Sequence, residues 1–392
     1  MSQSLQIINH FSIESGLPSN YVYDVIQDHQ GYLWIMTNAG LCKHNGSELE
    51  FIQIPNHLFD LKGAIELFEY NKDQLWIIRY TDILPNGEPQ NSNSDLIIYD
   101  KKLKQFSKIE DNSISIPFCV NTISHITPFE NSFLITTIDG KLYEMKDKQF
   151  KLLFQKEGEK FSYATKIADD QYWLRTPSEL FQLIDDELQL KNQVNSSYFS
   201  AITSSKDSIY FAKASFSSKN ITQFSYPNHT TNRIKSKDLL SSITYINNTL
   251  YYTTNNTIFY FDKQQKITLD LREALETTAF TIKGIKPLAD GKLVAYGING
   301  GLVILKLQQQ YFDRFSSPKT LLSMRGMLPL SDSVLLINSY AGQLLVNTKN
   351  KESQLIKNTL FPNGKKTTLF GYDLAMSKNG KIWSTADHYT IK

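Results

Sequence analysis

Hydrophobic and polar positions alternate along this chain in short runs, a pattern typical of β-strands. Residues 21–34 read YVYDVIQDHQGYLW, in which an alternating apolar run leads through a polar turn into an apolar triplet that ends at Trp34. The pattern predicts a β-hairpin, with Gly31 at a turn position where the backbone needs a positive φ. A single hairpin cannot bury its own apolar face, so other parts of the chain must cover it.

The same hairpin frame recurs along the chain. Residues 370–383, FGYDLAMSKNGKIW, align with the first copy without gaps, and residues 63–76 and 281–294 fit the same frame. Five looser copies complete the set, and their last residues lie near positions 134, 173, 210, 251 and 335. Nine copies therefore follow one another at intervals of about 40 residues, which is the spacing of propeller blades.

Each copy continues in one style, with a third strand such as GLCKHN and a fourth such as ELEFIQI. Four antiparallel strands make one propeller blade. We therefore predict an all-β fold, a β-propeller of four-stranded antiparallel blades with about nine repeats. All four tryptophans, Trp34, Trp76, Trp173 and Trp383, fall at the same repeat position, and we expect them to fill the wedge between blades rather than to contact a ligand.

The first residues look like a fourth strand without its blade, since residues 4–13 read SLQIINHFSI. They could complete the ninth blade of one larger ring. Alternatively, the ring closes after the seventh repeat, so that residues 1–315 form a propeller of about seven blades and residues 316–392 start a second one. Nine blades exceed the usual number, which favours a chain that holds one ring and part of another.

Composition excludes several classes of protein. Forty-one Lys and Arg against 39 Asp and Glu, with the signs interspersed, do not suit a nucleic-acid backbone. Two cysteines and seven scattered histidines offer neither a disulfide framework nor a metal site. No apolar run is long enough to span a membrane, and no signal peptide is visible. We expect no cofactor, no metal and no nucleic-acid partner.

We find none of the usual catalytic motifs, and the glycines of GINGG at 297–301 read as a turn. Asp24, Glu66 and Asp373 share one repeat position near the start of the innermost strand. Three acids around a channel could bind cations or act as acid and base. Hydrogen bonding between blades is the alternative that we favour, so we predict no catalytic residues.

A ligand would sit where the loops that enter the first strand and the loops that join the second strand to the third open on one face. Polar groups beside tyrosine rings suit a sugar, which has hydroxyls on its edge and an apolar face. The repeat frame projects nine candidate ligand-binding residues onto this face: Asn20, Arg79, Tyr80, Arg175, Lys213, Asn299, Arg325, Tyr340 and His388.

Residues 16–46, GLPSNYVYDVIQDHQGYLWIMTNAGLCKHNG, closely resemble the repeat of the two-component regulator propeller family. The positions that match the family pattern are Gly16, Leu17, Pro18, Asn20, Asp28, Gly31, Trp34, Ile35, Thr37, Gly40, Leu41, Asn45 and Gly46. Copies at 63 and 370 match in part, and the middle copies keep only the rhythm of the strands.

The resemblance implies the extracytoplasmic, periplasmic sensor region of a bacterial two-component system, usually two seven-bladed propellers followed by an immunoglobulin-like domain, one membrane helix and a histidine kinase or diguanylate cyclase. It implies an oligosaccharide or small-molecule ligand, contact with a membrane only through segments absent from this chain, and a homodimer of the full-length sensor. We expect this chain itself not to be an enzyme, although a full-length parent could carry histidine kinase activity. Two alternatives stay open: a carbohydrate-active propeller enzyme that uses residues 24, 66 and 373, and a protein-interaction scaffold.

Overall fold

The computed structural model divides the chain into two compact units, one of Ser2–Gln309 and one of Gln310–Lys392 together with Met1. The residues that it describes are 3–80, 94–111, 114–129, 132–168, 171–193, 198–205, 208–214, 220–225, 230–235, 240, 242–246, 248–262, 265–277, 279–309, 324–339, 342–349, 352–360, 366–368, 372–386 and 389–391.

Seven four-stranded antiparallel sheets, which we call blades 1 to 7, make up the described part of the first unit. An N-terminal strand, β1 (Gln3–Phe11), precedes them. Blade 1 holds β2 (Val22–Gln27), β3 (Leu33–Thr37), β4 (Gly40–His44) and β5 (Leu49–Ile52). Blade 2 holds β6 (Ala64–Asn71), β7 (Gln74–Tyr80), β8 (Asp95–Asp100) and β9 (Gln105–Lys108). Blade 3 holds β10 (Ile123–Phe129), β11 (Ser132–Thr137), β12 (Lys141–Lys146) and β13 (Gln149–Gln155).

The later blades follow the same order. Blade 4 holds β14 (Tyr163–Ala168), β15 (Gln171–Arg175), β16 (Glu179–Ile184) and β17 (Glu187–Gln193). Blade 5 holds β18 (Tyr198–Ser204), β19 (Ser208–Ala214), β20 (Asn220–Ser225) and β21 (Thr230–Lys235). Blade 6 holds β22 (Ser242–Ile246), β23 (Thr249–Thr253), β24 (Thr257–Asp262) and β25 (Gln265–Asp270). Blade 7 holds β26 (Thr281–Pro287), β27 (Lys292–Ile298), β28 (Leu302–Gln309) and, as its fourth strand, β1.

The second unit contains one four-stranded sheet and two smaller ones among its described residues. The four-stranded sheet is formed by β29 (Met324–Ser331), β30 (Val334–Ser339), β31 (Gly342–Asn347) and β32 (Glu352–Ile356). One of the smaller sheets pairs β33 (Asn358–Leu360) with β34 (Lys366–Thr368). The other is formed by β35 (Leu374–Met376), β36 (Ile382–Ala386) and β37 (Tyr389–Ile391).

The described helices all belong to the first unit. Each is a single turn, and they lie at Ile13–Ser15, Ile109–Asp111, Val120–Thr122, α1 (Leu271–Ala274) and Ala289–Gly291.

The prediction of an all-β propeller with four-stranded blades is confirmed, and all nine repeat anchors lie in the second strand of a sheet. The hairpin of blade 1 pairs Ile26 with Trp34. Its turn is held by Asp28, whose Oδ1 accepts the backbone N–H groups of Gln30 and Tyr32 at 3.0 Å each. Gly31 has the expected positive φ of 88°, as do the equivalent glycines, 291 at 68° and 380 at 78°.

The ring closes between blade 7 and blade 1. Strand β1 pairs with β28 from Gln3 opposite Gln309 to Phe11 opposite Leu302, so the first residues of the unit complete the last blade. Strand β2 of blade 1 contacts β26 and β27 of blade 7, and residues of both blades share one hydrophobic core that includes Val22 and Val294.

The prediction that the tryptophans fill the space between blades is correct for three of the four. Trp34, Trp76 and Trp173 are buried, and Trp34 lies 5.6 Å from the ring of Tyr99 in the next blade. The prediction is wrong for Trp383, which is 38% exposed. Trp383 lies in β36 of the second unit, and a ring with this exposure does not fill a closed space.

Candidate functional site

One row of residues on the innermost strands faces the centre of the ring. The first strands of blades 7 and 1, 1 and 2, 3 and 4, 5 and 6, and 6 and 7 contact one another, so the first strands form the innermost layer. Each residue of the row pairs with the residue two positions after the repeat anchor, and the five pairs are Asp24 with Met36, Glu66 with Ile78, His125 with Thr136, Tyr163 with Arg175 and Gly284 with Tyr296. Titratable side chains from four blades are thus brought to one level of the ring, and in blade 7 the hydroxyl of Tyr296 occupies the space beside Gly284.

Bulges shape this row. The first strands of blades 1, 3, 5 and 7 shift register immediately before the row position, between Val22 and Asp24, Ile123 and His125, Phe199 and Ala201, and Ile282 and Gly284. A β-bulge bends its strand and re-aims the side chain that follows. The repeated bulge explains how the row departs from simple alternation.

Eight side chains at and beside this row form what we call the channel cluster: Asp24, Glu66, Tyr80, His125, Tyr163, Arg175, Lys286 and Tyr296. The cluster extends over blades 7, 1, 2, 3 and 4. It combines two carboxylates, two cations, one imidazole and three phenols.

Asp24 ties blade 1 to both of its neighbours. Its side chain is fully buried and accepts the N–H of Val25 at 2.8 Å and the N–H of Leu67, in blade 2, at 2.9 Å. The ammonium of Lys286, in blade 7, lies 2.6 Å from Oδ1 and 2.7 Å from Oδ2. The hydrogen bonding between blades that we favoured from the sequence is therefore found at Asp24.

Glu66 occupies the equivalent position in blade 2 but keeps partial access to solvent. Tyr80 donates its hydroxyl to Glu66 Oε2 at 2.8 Å, and the same hydroxyl accepts the N–H of Ile126, in blade 3, at 3.2 Å. Burial raises the pKa of Glu66 to about 7; Asp24 adds to the rise and Lys286 opposes it. Glu66 therefore exchanges a proton with solvent near neutral pH.

Aromatic rings continue the cluster from blade 2 to blade 4. The His125 ring stacks on Tyr80, with centroids 5.3 Å apart and planes at 12°, and lies 5.0 Å from the Tyr163 ring. Burial, with the positive charges of Arg175 and Lys286, lowers the pKa of His125 to about 3. The imidazole is therefore neutral at physiological pH, and its Nδ1 lies 3.2 Å from Thr127 Oγ1.

Arg175 ends the cluster in blade 4. Its guanidinium carbon lies 5.7 Å from the centroid of the Tyr163 ring, a cation–π arrangement. Its Nε donates to Ser162 Oγ at 3.1 Å, and its Nη2 contacts Ser162 O at 3.5 Å. Burial lowers the pKa of Arg175 to about 10, a value at which the group still carries its charge at neutral pH.

The structure brings two of the nine predicted ligand residues, Tyr80 and Arg175, into the channel cluster. Asn20 lies where blade 1 meets the closing blade: its Oδ1 accepts the N–H of Ile13 at 2.9 Å and its carbonyl accepts the N–H of Gly301 at 3.0 Å. Arg79 contacts Asp60 at 3.3 Å.

Asn299 has a positive φ of 65° between β27 and β28, as expected of the 297–301 turn. Arg325 belongs to the second unit, where its guanidinium lies 5.2 Å from the Tyr372 ring. Lys213 lies in β19, but its side chain is not among those that the structure describes. Tyr340 and His388 lie outside the described residues. Asp373, also in the second unit, is exposed, and its Oδ1 accepts the N–H of Leu374 at 2.8 Å, as Asp24 does with Val25.

Four members of the cluster, His125, Tyr163, Lys286 and Tyr296, were missed from the sequence. The looser copies vary in the length of the hairpin turn, so an alignment that counts from the first strand places Ser124 rather than His125 opposite Asp24. Counting two residues forward from the anchor and pairing across the hairpin finds His125 and Tyr163. Lys286 pairs with the anchor Val294 itself, a position occupied by apolar residues in the first two blades.

A second polar cluster lies beside the turns that join β2 to β3 in blade 1 and β6 to β7 in blade 2. Asp28, His29 and Glu69 offer ligand atoms close enough to hold a metal ion. However, the ammonium of Lys101 lies 3.0 Å from Asp28 Oδ2 and 2.6 Å from Glu69 Oε1, and the Trp34 indole donates to Asp28 Oδ2 at 2.8 Å. These contacts describe an ion-pair network that anchors the Trp34 wedge, with the lysine supplying the cation.

Comparison with known families gives one match. The model for the Two component regulator propeller matches residues 16–39, the part of the chain that forms the first hairpin and carries Asp24. No curated protein matches the chain.

Solved structures with the same fold include extracellular domains from B. thetaiotaomicron. The domain assigned to the hybrid two component system BT3049 is 16% identical with a TM-score of 0.66, and the alignment covers 98% of this chain and 52% of that one. The domain assigned to the one component system BT4673 is 12% identical with a TM-score of 0.56, covering 99% of this chain and 52% of that one. The chain thus spans about half of these domains.

Virginiamycin B lyase from Staphylococcus aureus, an enzyme, also shares the fold. It is 13% identical with a TM-score of 0.55, and the alignment covers 78% of this chain and 100% of the lyase. At these identities, the likeness concerns the fold alone. None of the described helices has the length and apolar character needed to cross a bilayer.

Proposed function

Because its first repeat places the chain in the two component regulator propeller family, we propose that it is the extracytoplasmic, ligand-sensing region of a bacterial two-component sensor. In this proposal the propeller binds an oligosaccharide in the periplasm and relays binding to a histidine kinase or a diguanylate cyclase of the full-length sensor. The observation that carries the proposal is the family repeat in a fold shared over nearly the whole chain with two extracellular sensor domains.

The channel cluster supports the ligand part of the proposal. Sugars are bound by convergent hydrogen-bonding groups beside aromatic rings, and the cluster supplies a carboxyl at Glu66, an imidazole at His125, a guanidinium at Arg175 and the Tyr163 ring. These groups come from adjacent blades. A ligand that contacts several blades at once would favour one arrangement of the ring over another, which is the differential binding that a population shift requires.

The alternative of a carbohydrate-active enzyme is less well supported. Glycoside hydrolysis uses two carboxyl groups, one as an acid and the other as a nucleophile or base. Glu66, with its raised pKa, suits an acid, but Asp24 is buried in contacts with Leu67 and Lys286. Asp373 belongs to the other unit. The geometry therefore favours binding over cleavage.

Calorimetric titration of the chain with a panel of oligosaccharides tests the proposal. We expect at least one glycan to bind without release of reducing ends, and Tyr163→Ala to weaken that binding. Tyr32→Ala, in the turn between β2 and β3 of blade 1 and outside the channel cluster, is the matched control and leaves binding unchanged. If no glycan binds and only a protein partner does, the result favours the scaffold alternative. If reducing ends are released, the result favours the enzyme alternative.

A further inference from the structure

The charges of the channel cluster are not balanced. Lys286 is neutralised by Asp24, which lies within 2.7 Å through both oxygens. His125 is neutral, because burial and the neighbouring cations lower its pKa to about 3. Arg175 forms no ion pair with a carboxylate among the described residues. Glu66, the second carboxylate of the cluster, has a pKa of about 7 and is only partly ionised at neutral pH. The cluster therefore holds one guanidinium that no carboxylate of the described residues contacts.

The guanidinium of Arg175 is held in place by contacts that involve only some of its N–H donors. Of its five N–H donors, one on Nε and one on Nη2 contact Ser162. The Tyr163 ring lies 5.7 Å from the guanidinium carbon and restricts its orientation. The remaining edge, formed by Nη1 and Nη2, has the spacing that accepts the two oxygens of a carboxylate. A partly buried cation that is fixed in place and lacks a counter-ion among the described residues suits an anionic ligand.

We infer that the Arg175 end of the channel cluster binds the carboxylate of an acidic sugar, a uronate unit of an oligosaccharide. This inference rests on the proposed function and specifies its ligand class. The uronate carboxylate lies against the Arg175 edge, and the sugar hydroxyls reach His125 and Glu66. No bond is made or broken.

The choice of a carboxylate over a sulfate follows from the number of available donors, because the guanidinium edge alone binds either group bidentately. A sulfate ester has a third charged oxygen that needs a further donor. Lys286 could supply such a donor only by leaving Asp24, which would remain as a buried carboxylate without its counter-ion.

Glu66 makes the binding of an acidic ligand depend on pH. The groups that face Glu66 come from five blades: Tyr80 on its own blade, Asp24 on blade 1, Lys286 and Tyr296 on blade 7, His125 on blade 3 and Tyr163 on blade 4. When Glu66 ionises, it adds a negative charge near the ligand carboxylate. Since its pKa is about 7, we expect acidic ligands to bind more tightly at pH 6 than at pH 8.

The test compares each uronate oligosaccharide of a panel with its carboxyl-reduced, neutral counterpart of the same linkage, by calorimetry on the wild-type chain. We expect the acidic form to bind at least about tenfold more tightly, the difference for one charge-assisted hydrogen bond. Arg175→Gln should abolish this difference, whereas Arg272→Gln, in α1 and outside the channel, should retain it. Glu66→Gln should flatten the change between pH 6 and pH 8.

The outcomes separate this inference from the proposed function. Equal affinity for acidic and reduced forms, or binding of neutral glycans alone, would overturn the uronate inference and leave oligosaccharide sensing intact. Tighter binding of sulfated than of uronate oligosaccharides would also overturn it. If no glycan binds, both fail. The comparison of the two ligand forms needs only the wild-type chain, so a variant that does not fold leaves the test valid.

Discussion

The ammonium of Lys286 lies 2.6 Å from Asp24 across the seam at which the ring closes. Lys286 belongs to the last blade of the ring and Asp24 to the first, and the other oxygen of Asp24 accepts an N–H from blade 2. One buried carboxylate therefore joins three consecutive blades at the centre of the ring. Its replacement should destabilise the whole first unit.

We predict that Asp24→Ala lowers the free energy of unfolding by about 3–5 kcal/mol, because it leaves the N–H of Leu67 and the charge of Lys286 without their partner. Asp373→Ala is the matched control: Asp373 makes the same local bond to the next N–H but is exposed, so its loss should cost less than about 1 kcal/mol. Urea denaturation followed by circular dichroism measures both. Equal losses would contradict the bridging role of Asp24.

Trp34→Ala should lower the free energy of unfolding by about 3–5 kcal/mol, since it empties a buried space between blades 1 and 2 and leaves Asp28 without the indole donor. Trp383→Ala removes the same side chain from the equivalent repeat position, where the ring is 38% exposed. We expect it to cost about 1 kcal/mol or less. An unchanged melting temperature for Trp34→Ala would contradict the role of Trp34 in filling the space between blades 1 and 2.

Closure by the first strand can be tested within β1 itself. Leu5 is 6% exposed and belongs to the core between blades 6 and 7, whereas Ile8 is 49% exposed. Leu5→Ala should therefore cost about 2–5 kcal/mol, and Ile8→Ala about 0.5 kcal/mol or less. Thermal and chemical unfolding of the two variants give the comparison. If both were neutral, pairing of β1 with β28 would not contribute to stability in solution.

The neutral imidazole of His125 makes stability depend on pH. Its pKa is about 3 in the folded chain, against an ordinary value of 6.5 in the unfolded chain, so the unfolded state binds the proton more readily. The contribution of His125 is full above pH 6.5 and is lost as the pH falls toward 3. His125→Phe keeps a ring beside Tyr80 but cannot titrate. The wild type should therefore lose stability relative to this variant between pH 7 and pH 4; parallel profiles would show that His125 does not take part.

The architecture could be predicted because it depends on a repeated pattern. Turn glycines such as Gly31, the apolar alternation and the anchor positions all act locally, so one sequence reveals them. The channel cluster could be predicted only in part. Tyr80 and Arg175 follow from the repeat frame, but His125 and Tyr163 depend on bulges and turn lengths that shift the register of individual blades. Lys286 depends on a contact across the closing seam, which no local pattern encodes.

The pairing of Gln3 with Gln309 also sets the order of assembly during synthesis. Strand β1 leaves the ribosome before its partner β28, which is made only after all the intervening blades. Until then, β1 exposes the backbone groups and apolar side chains of an unpaired strand, which can pair with other chains. Contacts so distant in sequence also slow folding. Completion of the ring is therefore a late step, and the nascent chain is most prone to aggregation before the seventh blade is finished.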